Sequence, residues 1–89
     1  MLLPSPWILR IDPGVLQKLE LIPKGDARRI LRAIHGLALN PYYGDIQKMK
    51  GQQDTWRRRV GSYRIFYKLL PGERILLVFH VERRTSTTY

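Results

Sequence analysis

The stretch Trp56–Tyr67, W-R-R-R-V-G-S-Y-R-I-F-Y, decides the fold. Gly61-Ser62 separates two runs of β-branched, aromatic and arginine side chains. Glycine at the first central position is the signature of a type II′ hairpin turn. A two-residue turn fixes the register, so Val60 faces Tyr63, Arg59 faces Arg64, Arg58 faces Ile65, Arg57 faces Phe66 and Trp56 faces Tyr67. Side chains alternate across a strand. One face of the hairpin therefore carries Arg57, Arg59, Arg64 and Phe66. The other carries Trp56, Val60, Tyr63, Ile65 and Tyr67, with Arg58 as the odd residue among them. Like charges directly opposite each other destabilise a sheet, so Arg59 against Arg64 points to an anionic partner for the cationic face.

Working outward, the second hairpin strand runs from Tyr63 to Leu70 and Pro71-Gly72 turns it. Ile75–Val81 is a continuous apolar run, the pattern of a strand covered on both faces. Upstream, Gln52–Thr55 is polar and turn-like, and Tyr42–Gly51 is a loop or short edge element carrying Lys48 and Lys50. Near the start, Trp7–Ile11 reads as a strand. Asp12 then caps a short helix with Pro13 in its first turn and Val15, Leu16 and Leu19 on one face. Leu21 and Ile22 close it, and Pro23-Lys24-Gly25 is a turn. Asp26 caps a second helix whose apolar positions, Ala27, Ile30, Leu31, Ile34, Leu37 and Ala38, recur at helical spacing. Arg28, Arg29 and Arg32 lie off that stripe, and Asn40-Pro41 ends the helix. The expected fold is α+β: an N-terminal strand and a two-helix pair packed on one face of a largely antiparallel sheet of about four strands. The opposite face, with Arg57, Arg59 and Arg64, stays open. Residues 1–89 contain no repeat or linker and read as a single domain.

Composition narrows the function. Net charge is +9, and its placement is uneven: residues 1–45 hold six basic and four acidic side chains, whereas residues 46–89 hold ten basic and three acidic. The excess sits on the sheet half, where it attracts phosphate polymers through counterion release. There are no cysteines, which excludes a disulfide framework or thiolate metal site and fits a reducing cytoplasm. No basic start with a long apolar run marks a signal peptide, and no apolar run approaches the ~20 residues that span a bilayer.

The usual acid–base constellations are missing. His35 lies between apolar positions of the second helix and reads as a partly exposed structural residue. His80 sits in the apolar last strand and reads as packed and hydrogen-bonded. The seven carboxylates are scattered without metal-ligand spacing, so no metal and no cofactor is expected. There is no P-loop, no glycine-rich dinucleotide motif and no GxSxG. What remains is a set of cations. RNA supplies its own nucleophile, the 2′-OH, and in-line attack on the adjacent phosphate needs alignment, charge stabilisation and a proton for the leaving 5′-oxygen. Arginines converging on one face supply the first two. Arginine is a poor proton donor or acceptor, with a pKa above about 12, so a lysine, a tyrosine or a partner must move the protons. Phe66 either stacks a base, worth ~1–3 kcal/mol, or packs against the C-terminal tail. Trp56 and Tyr67 read as core residues.

Taken together, the two amphipathic helices, N-P-Y-Y-G-D-I-Q-K-M-K-G, the W-R-R-R-V-G-S-Y-R-I-F-Y hairpin, the apolar strand and the ending V-E-R-R-T-S-T-T-Y resemble the RelE/ParE superfamily, toxins of bacterial type II toxin–antitoxin pairs. The RelE branch implies a ribosome-dependent mRNA endonuclease that arrests translation in the cytoplasm. The resemblance implies catalytic roles for Arg57, Arg59, Arg64, Arg84 and Tyr89. Arg57 and Arg64 grip and charge-stabilise the phosphate, Arg84 lies near the leaving oxygen, and Tyr89 orients the 2′-OH or stacks a base. Lys48, Lys50, Phe66 and Arg83 are the implied RNA contacts. Positions often lysine in the branch are arginine here, which leaves Lys50 as the fallback base. Arg58 stands where family members usually carry an apolar residue. Other members use a histidine and a glutamate near the end of the sheet, close in sequence to His80 and Glu82. The implied partners are the ribosome, mRNA and a cognate antitoxin with a largely acidic helical segment. Two alternatives stay open: a non-enzymatic toxin binding DNA gyrase, as in the ParE branch, and a nucleic-acid-binding member without activity.

Overall fold

The computed structural model describes residues 6–83. The chain forms β1 (Ile8–Ile11), α1 (Pro13–Glu20), α2 (Lys24–Leu39), β2 (Ile46–Lys48), β3 (Thr55–Val60), β4 (Tyr63–Leu70) and β5 (Ile75–Arg83). These five strands make one sheet in the order β1-β5-β4-β3-β2, with β1 parallel to β5 and every other pair antiparallel. The fifth strand is β2, the short edge element carrying Lys48. It pairs Ile46 with Arg58 and Lys48 with Trp56.

The hairpin register is the one its turn dictates, from Val60↔Tyr63 to Trp56↔Tyr67. Gly61 has φ +58° and Ser62 has no positive φ, as a type II′ turn requires. Asp12 caps α1 by accepting from the Gly14 amide at 2.9 Å. Helix α2 starts two residues earlier than its first acidic residue suggests. Pro23 takes the N-cap position with no side-chain hydrogen bond, and Asp26 lies in the first turn, where its charge favours the helix dipole.

Both helices cover one sheet face. Val15 and Leu19 of α1 and Ile30, Ile34 and Leu37 of α2 pack on Tyr63, Ile65, Tyr67 and Leu69 of β4 and Leu76, Val78 and Val81 of β5. Each buried aliphatic side chain contributes about 1.5–3 kcal/mol. Two tyrosines anchor their hydroxyls at the margin of this core. Tyr67 donates to the Pro41 carbonyl at 2.6 Å, and Tyr63 donates to Asp26 Oδ2 at 3.0 Å. Trp56 is only half-buried and meets Tyr42 edge-on, with ring centroids 5.5 Å apart.

Strand β5 departs from the expected strand covered on both faces. Its second face is half-open at Ile75, Leu77 and Phe79. A bulge also breaks its pairing: Phe66 opposes His80 while Tyr67 opposes Val78, so Phe79 is the extra residue. A bulge resets the alternation of a strand. Leu76 and Val78 point to the helices, and unbroken alternation would send His80 the same way. With Phe79 inserted, Val81 takes the core position and His80 turns outward. His80 is therefore exposed, which corrects its reading as a packed residue. His35 is exposed on α2.

Candidate nucleic-acid interface

Alternation along β3 and β4 gathers Arg57, Arg59, Arg64 and Phe66 on the sheet face away from the helices. The bulge adds His80, and the strand beyond it adds Glu82. These six form the candidate site. Arg59 and Arg64 are direct cross-strand partners, and each has a carboxylate of its own. Arg64 Nη1 lies 3.2 Å from Glu82 Oε2, its partner across β4–β5. Arg59 Nε lies 3.7 Å from Asp45 Oδ2, and the Arg59 amide donates to the Asp45 carbonyl at 2.9 Å. The anionic partners that the arginine pair demands thus come from within the chain. Arg57 Nη2 donates to Gln47 Oε1 on edge strand β2. The Nε atoms of Arg59 and Arg64 are buried and lack a hydrogen-bond partner.

Glu82 holds two groups at once. Its Oε2 takes Arg64, and its Oε1 lies 3.2 Å from His80 Nε2. His80 stays half-exposed, so its ring meets solvent beside the guanidinium. Phe66 lies between, its ring centroid 5.5 Å from that of His80 and 6.4 Å from that of Phe79. Phe66 is thus flanked by residues of its own sheet.

The other expected contacts separate from this group. Lys48 pairs with Trp56, on the helix-facing side. Lys50 lies in the β2–β3 loop, where residues 48–53 line a shallow basin. Arg83 pairs with Tyr63, and its guanidinium sits 5.9 Å from the centre of that ring, again on the helix-facing side. Arg84 and Tyr89 lie outside the described residues. Arg58 keeps its register and turns out over Gly44. It donates to the Tyr43 carbonyl at 2.9 Å and stacks 5.7 Å from the Tyr43 ring centre. Sequence reasoning passed over Asp45 and Gln47, whose pairing with the arginines exists only through the sheet. It set His80 aside because strand alternation pointed it inward. An H-x-E step at the end of a strand was the available signal.

Chemically, this face can bind an anion. A phosphate oxygen can replace Glu82 or Asp45 at a guanidinium, and charge-assisted bonds to planar guanidinium forks are strong and directional. Arg57, Arg59 and Arg64 make an electrostatic clamp, and His80 is the one described side chain beside it suited to proton transfer near neutral pH.

A small basic α+β domain with an arginine-lined open sheet face is a recurrent toxin architecture, and comparison with known proteins agrees. The family model for the ParE toxin of type II toxin–antitoxin system, parDE, matches residues 9–87. The chain therefore belongs to the RelE/ParE family of type II toxin–antitoxin toxins. It is 29% identical over 79 residues to a curated RelE1 toxin of Methanocaldococcus jannaschii, covering 85% of this chain and 88% of that one. Its fold matches RelE in the archaeal RelE–RelB complex of Pyrococcus horikoshii, with TM-score 0.80, 24% identity and coverage of 92% of this chain and 99% of that one. It also matches the isolated E. coli RelE toxin, with TM-score 0.78, 14% identity and coverage of 91% and 87%.

Proposed function

We propose that this toxin is an mRNA endonuclease of RelE type, acting on the ribosome in the cytoplasm and held inactive by an antitoxin. The observation that carries the reading is the convergence of Arg57, Arg59 and Arg64 with the His80–Glu82 pair on one open face. Phosphoryl transfer is catalysed chiefly by positioning and charge stabilisation, which is what three guanidiniums provide. In the reaction, the 2′-oxygen bonds to the adjacent phosphorus, the bond to the 5′-oxygen breaks, and a cyclic phosphate and a free 5′-hydroxyl result. Arg57 and Arg64 hold the non-bridging oxygens. One proton leaves the 2′-hydroxyl and one reaches the 5′-oxygen. His80, steadied by Glu82, carries one of these transfers. Lys50 is more remote from the clamp and takes a backbone-contact role with Lys48. Arg84 and Tyr89 supply the leaving-oxygen and 2′-OH contacts that the family resemblance implies.

The antitoxin reading rests on charge: a +9 domain with an open cationic face is made inert by an acidic cover. The solved relatives from P. horikoshii and Methanococcus jannaschii are RelE–RelB complexes. A second reading, a non-enzymatic toxin binding DNA gyrase, draws on one observation. Arg59 and Arg64 are already paired with Asp45 and Glu82, which suits a docking surface as well as a catalyst.

The test is primer extension on a reporter mRNA in a cell-free translation reaction, with and without ribosomes. Wild type, Arg64→Ala and His80→Asn are compared. The nuclease reading expects ribosome-dependent cuts at codon-periodic positions, lost in Arg64→Ala and slowed in His80→Asn. Intact mRNA with a folded, growth-arresting wild type rejects it in favour of a protein target.

A further inference from the structure

The helix-facing side of the sheet has a second cationic feature that the proposed chemistry leaves unused. Helix α2 and strand β3 enclose a cleft of about 250 Å³. Its floor is Ala33, Gly36 and Val60, and its rim is Arg29, Arg32 and Arg58. Arg58 and Val60 alternate with Arg57 and Arg59 along β3, so the cleft opens on the side opposite the candidate phosphate clamp. Arg29 reaches across one end: a Cβ on Gly61 would lie 3.3 Å from its Nη1.

Two features of α2 at this cleft work against the helix that carries them. Gly36 sits inside the helix, where only proline is less favourable. A Cβ at Gly36 would meet nothing within 4 Å, so no packing within the described chain requires glycine there. Arg29 and Arg32 are three residues apart on one helix side, where like charges repel, and Arg32 has no partner among the described residues. A ligand that comes close to the helix backbone and carries negative charge accounts for both. An interior glycine without a local reason is a sign of such close approach.

We infer that this cleft docks an acidic amphipathic helix of a partner protein, with an apolar side chain seated over Gly36 and carboxylates set against Arg29, Arg32 and Arg58. The apolar floor favours a peptide over a nucleic acid, since a phosphodiester chain gains nothing from Ala33, Gly36 and Val60. Helix-in-groove docking uses this combination of apolar anchor and charged rim. The inference goes beyond the nuclease reading and does not depend on it, because the two surfaces lie on opposite faces of the sheet.

The experiment measures fluorescence anisotropy of a labelled helical peptide with leucines at i and i+4 flanked by glutamates, and of a labelled single-stranded RNA. The proteins are wild type, Gly36→Met, Arg32→Glu and Arg64→Ala. Gly36→Met fills the cleft from a position with open space, and thermal melting confirms that it folds. The peptide is expected to lose about tenfold in affinity with Gly36→Met and with Arg32→Glu, and to bind Arg64→Ala as it binds wild type. RNA is expected to respond in the opposite order. Undetectable peptide binding to wild type, equal peptide binding to wild type and folded Gly36→Met, or loss of RNA rather than peptide in Arg32→Glu each overturns the inference. Failure of mRNA cleavage in the translation assay leaves these outcomes unchanged.

Discussion

At the residue scale, Gly44 shows how one missing Cβ admits an arginine. Gly44 has φ +93°, and a Cβ there would lie 1.3 Å from Arg58 Nη1. The glycine leaves room for the guanidinium to reach the Tyr43 carbonyl, which is how a charged residue leaves the helix-facing side of the hairpin. Gly44→Ala is expected to cost about 1–2 kcal/mol through its positive φ and the displaced Arg58. The cost should be smaller in an Arg58→Ala background, and urea titration of the double-mutant cycle measures the difference. Tyr67 is a second single-residue anchor. Its hydroxyl lies deep in the core on the Pro41 carbonyl, so Tyr67→Phe leaves that carbonyl unpaired and is expected to cost about 1–2 kcal/mol. Burial pushes the Tyr67 phenol well above its usual value of 10.0. Burial and then the hydrogen bond to Asp26 push Tyr63 up as well. Below pH 10.0 the folded and unfolded states both keep these protons. Above it the unfolded chain releases them first and binds fewer protons, so stability falls as pH rises. Chemical denaturation between neutral and strongly alkaline pH should show this decline, shallower in Tyr67→Phe.

At the element scale, β3 and β4 put like charges face to face and neighbouring elements compensate. Asp45 comes from the loop before β2, and Glu82 from the end of β5. Both pairs are partly exposed, and such pairs are worth only a few tenths to 1 kcal/mol. RNA phosphate must displace them, so removing either carboxylate should favour RNA. Asp45→Asn and Glu82→Gln are each expected to raise single-stranded RNA affinity about two- to fivefold, while slightly destabilising the hairpin. Anisotropy titration checks the affinity. Weakened RNA binding in both variants would show that these carboxylates organise the clamp more than they compete for it. Much of this element is legible in sequence: the Gly-Ser turn and the arginine alternation together give the register and the cationic face. His80 is not legible, because the chain carries no local mark of the bulge that turns it outward.

At the scale of the whole molecule, the +9 charge acts through the face on which it is gathered. Binding to single-stranded RNA should fall with salt, with a slope near −0.7 per phosphate contacted. Contact through Arg57, Arg59 and Arg64 therefore predicts a slope of about −2, reduced by about 0.7 in Arg57→Ala. A slope unchanged in that variant would place the RNA elsewhere. The helical layer and the open face divide the work of the molecule. Val15, Ile30, Ile34 and their partners hold the sheet from one side, which frees the other for charges that could not be buried.

The sequence by itself determined the order of elements, the hairpin register and the apolar stripe of α2. These follow from turn chemistry and periodicity, which act over a few residues. Only the tertiary structure decided what the arginines meet. Glu82 reaches Arg64 across a strand pair, Asp45 reaches Arg59 from a loop fourteen positions away, and Gln47 reaches Arg57 from an edge strand of three residues. Tertiary structure also moved His80 from the core to the surface. An inserted residue at Phe79 shifts the phase of β5, and that phase is set by which residues the neighbouring strand pairs with, a choice made by packing rather than by local sequence.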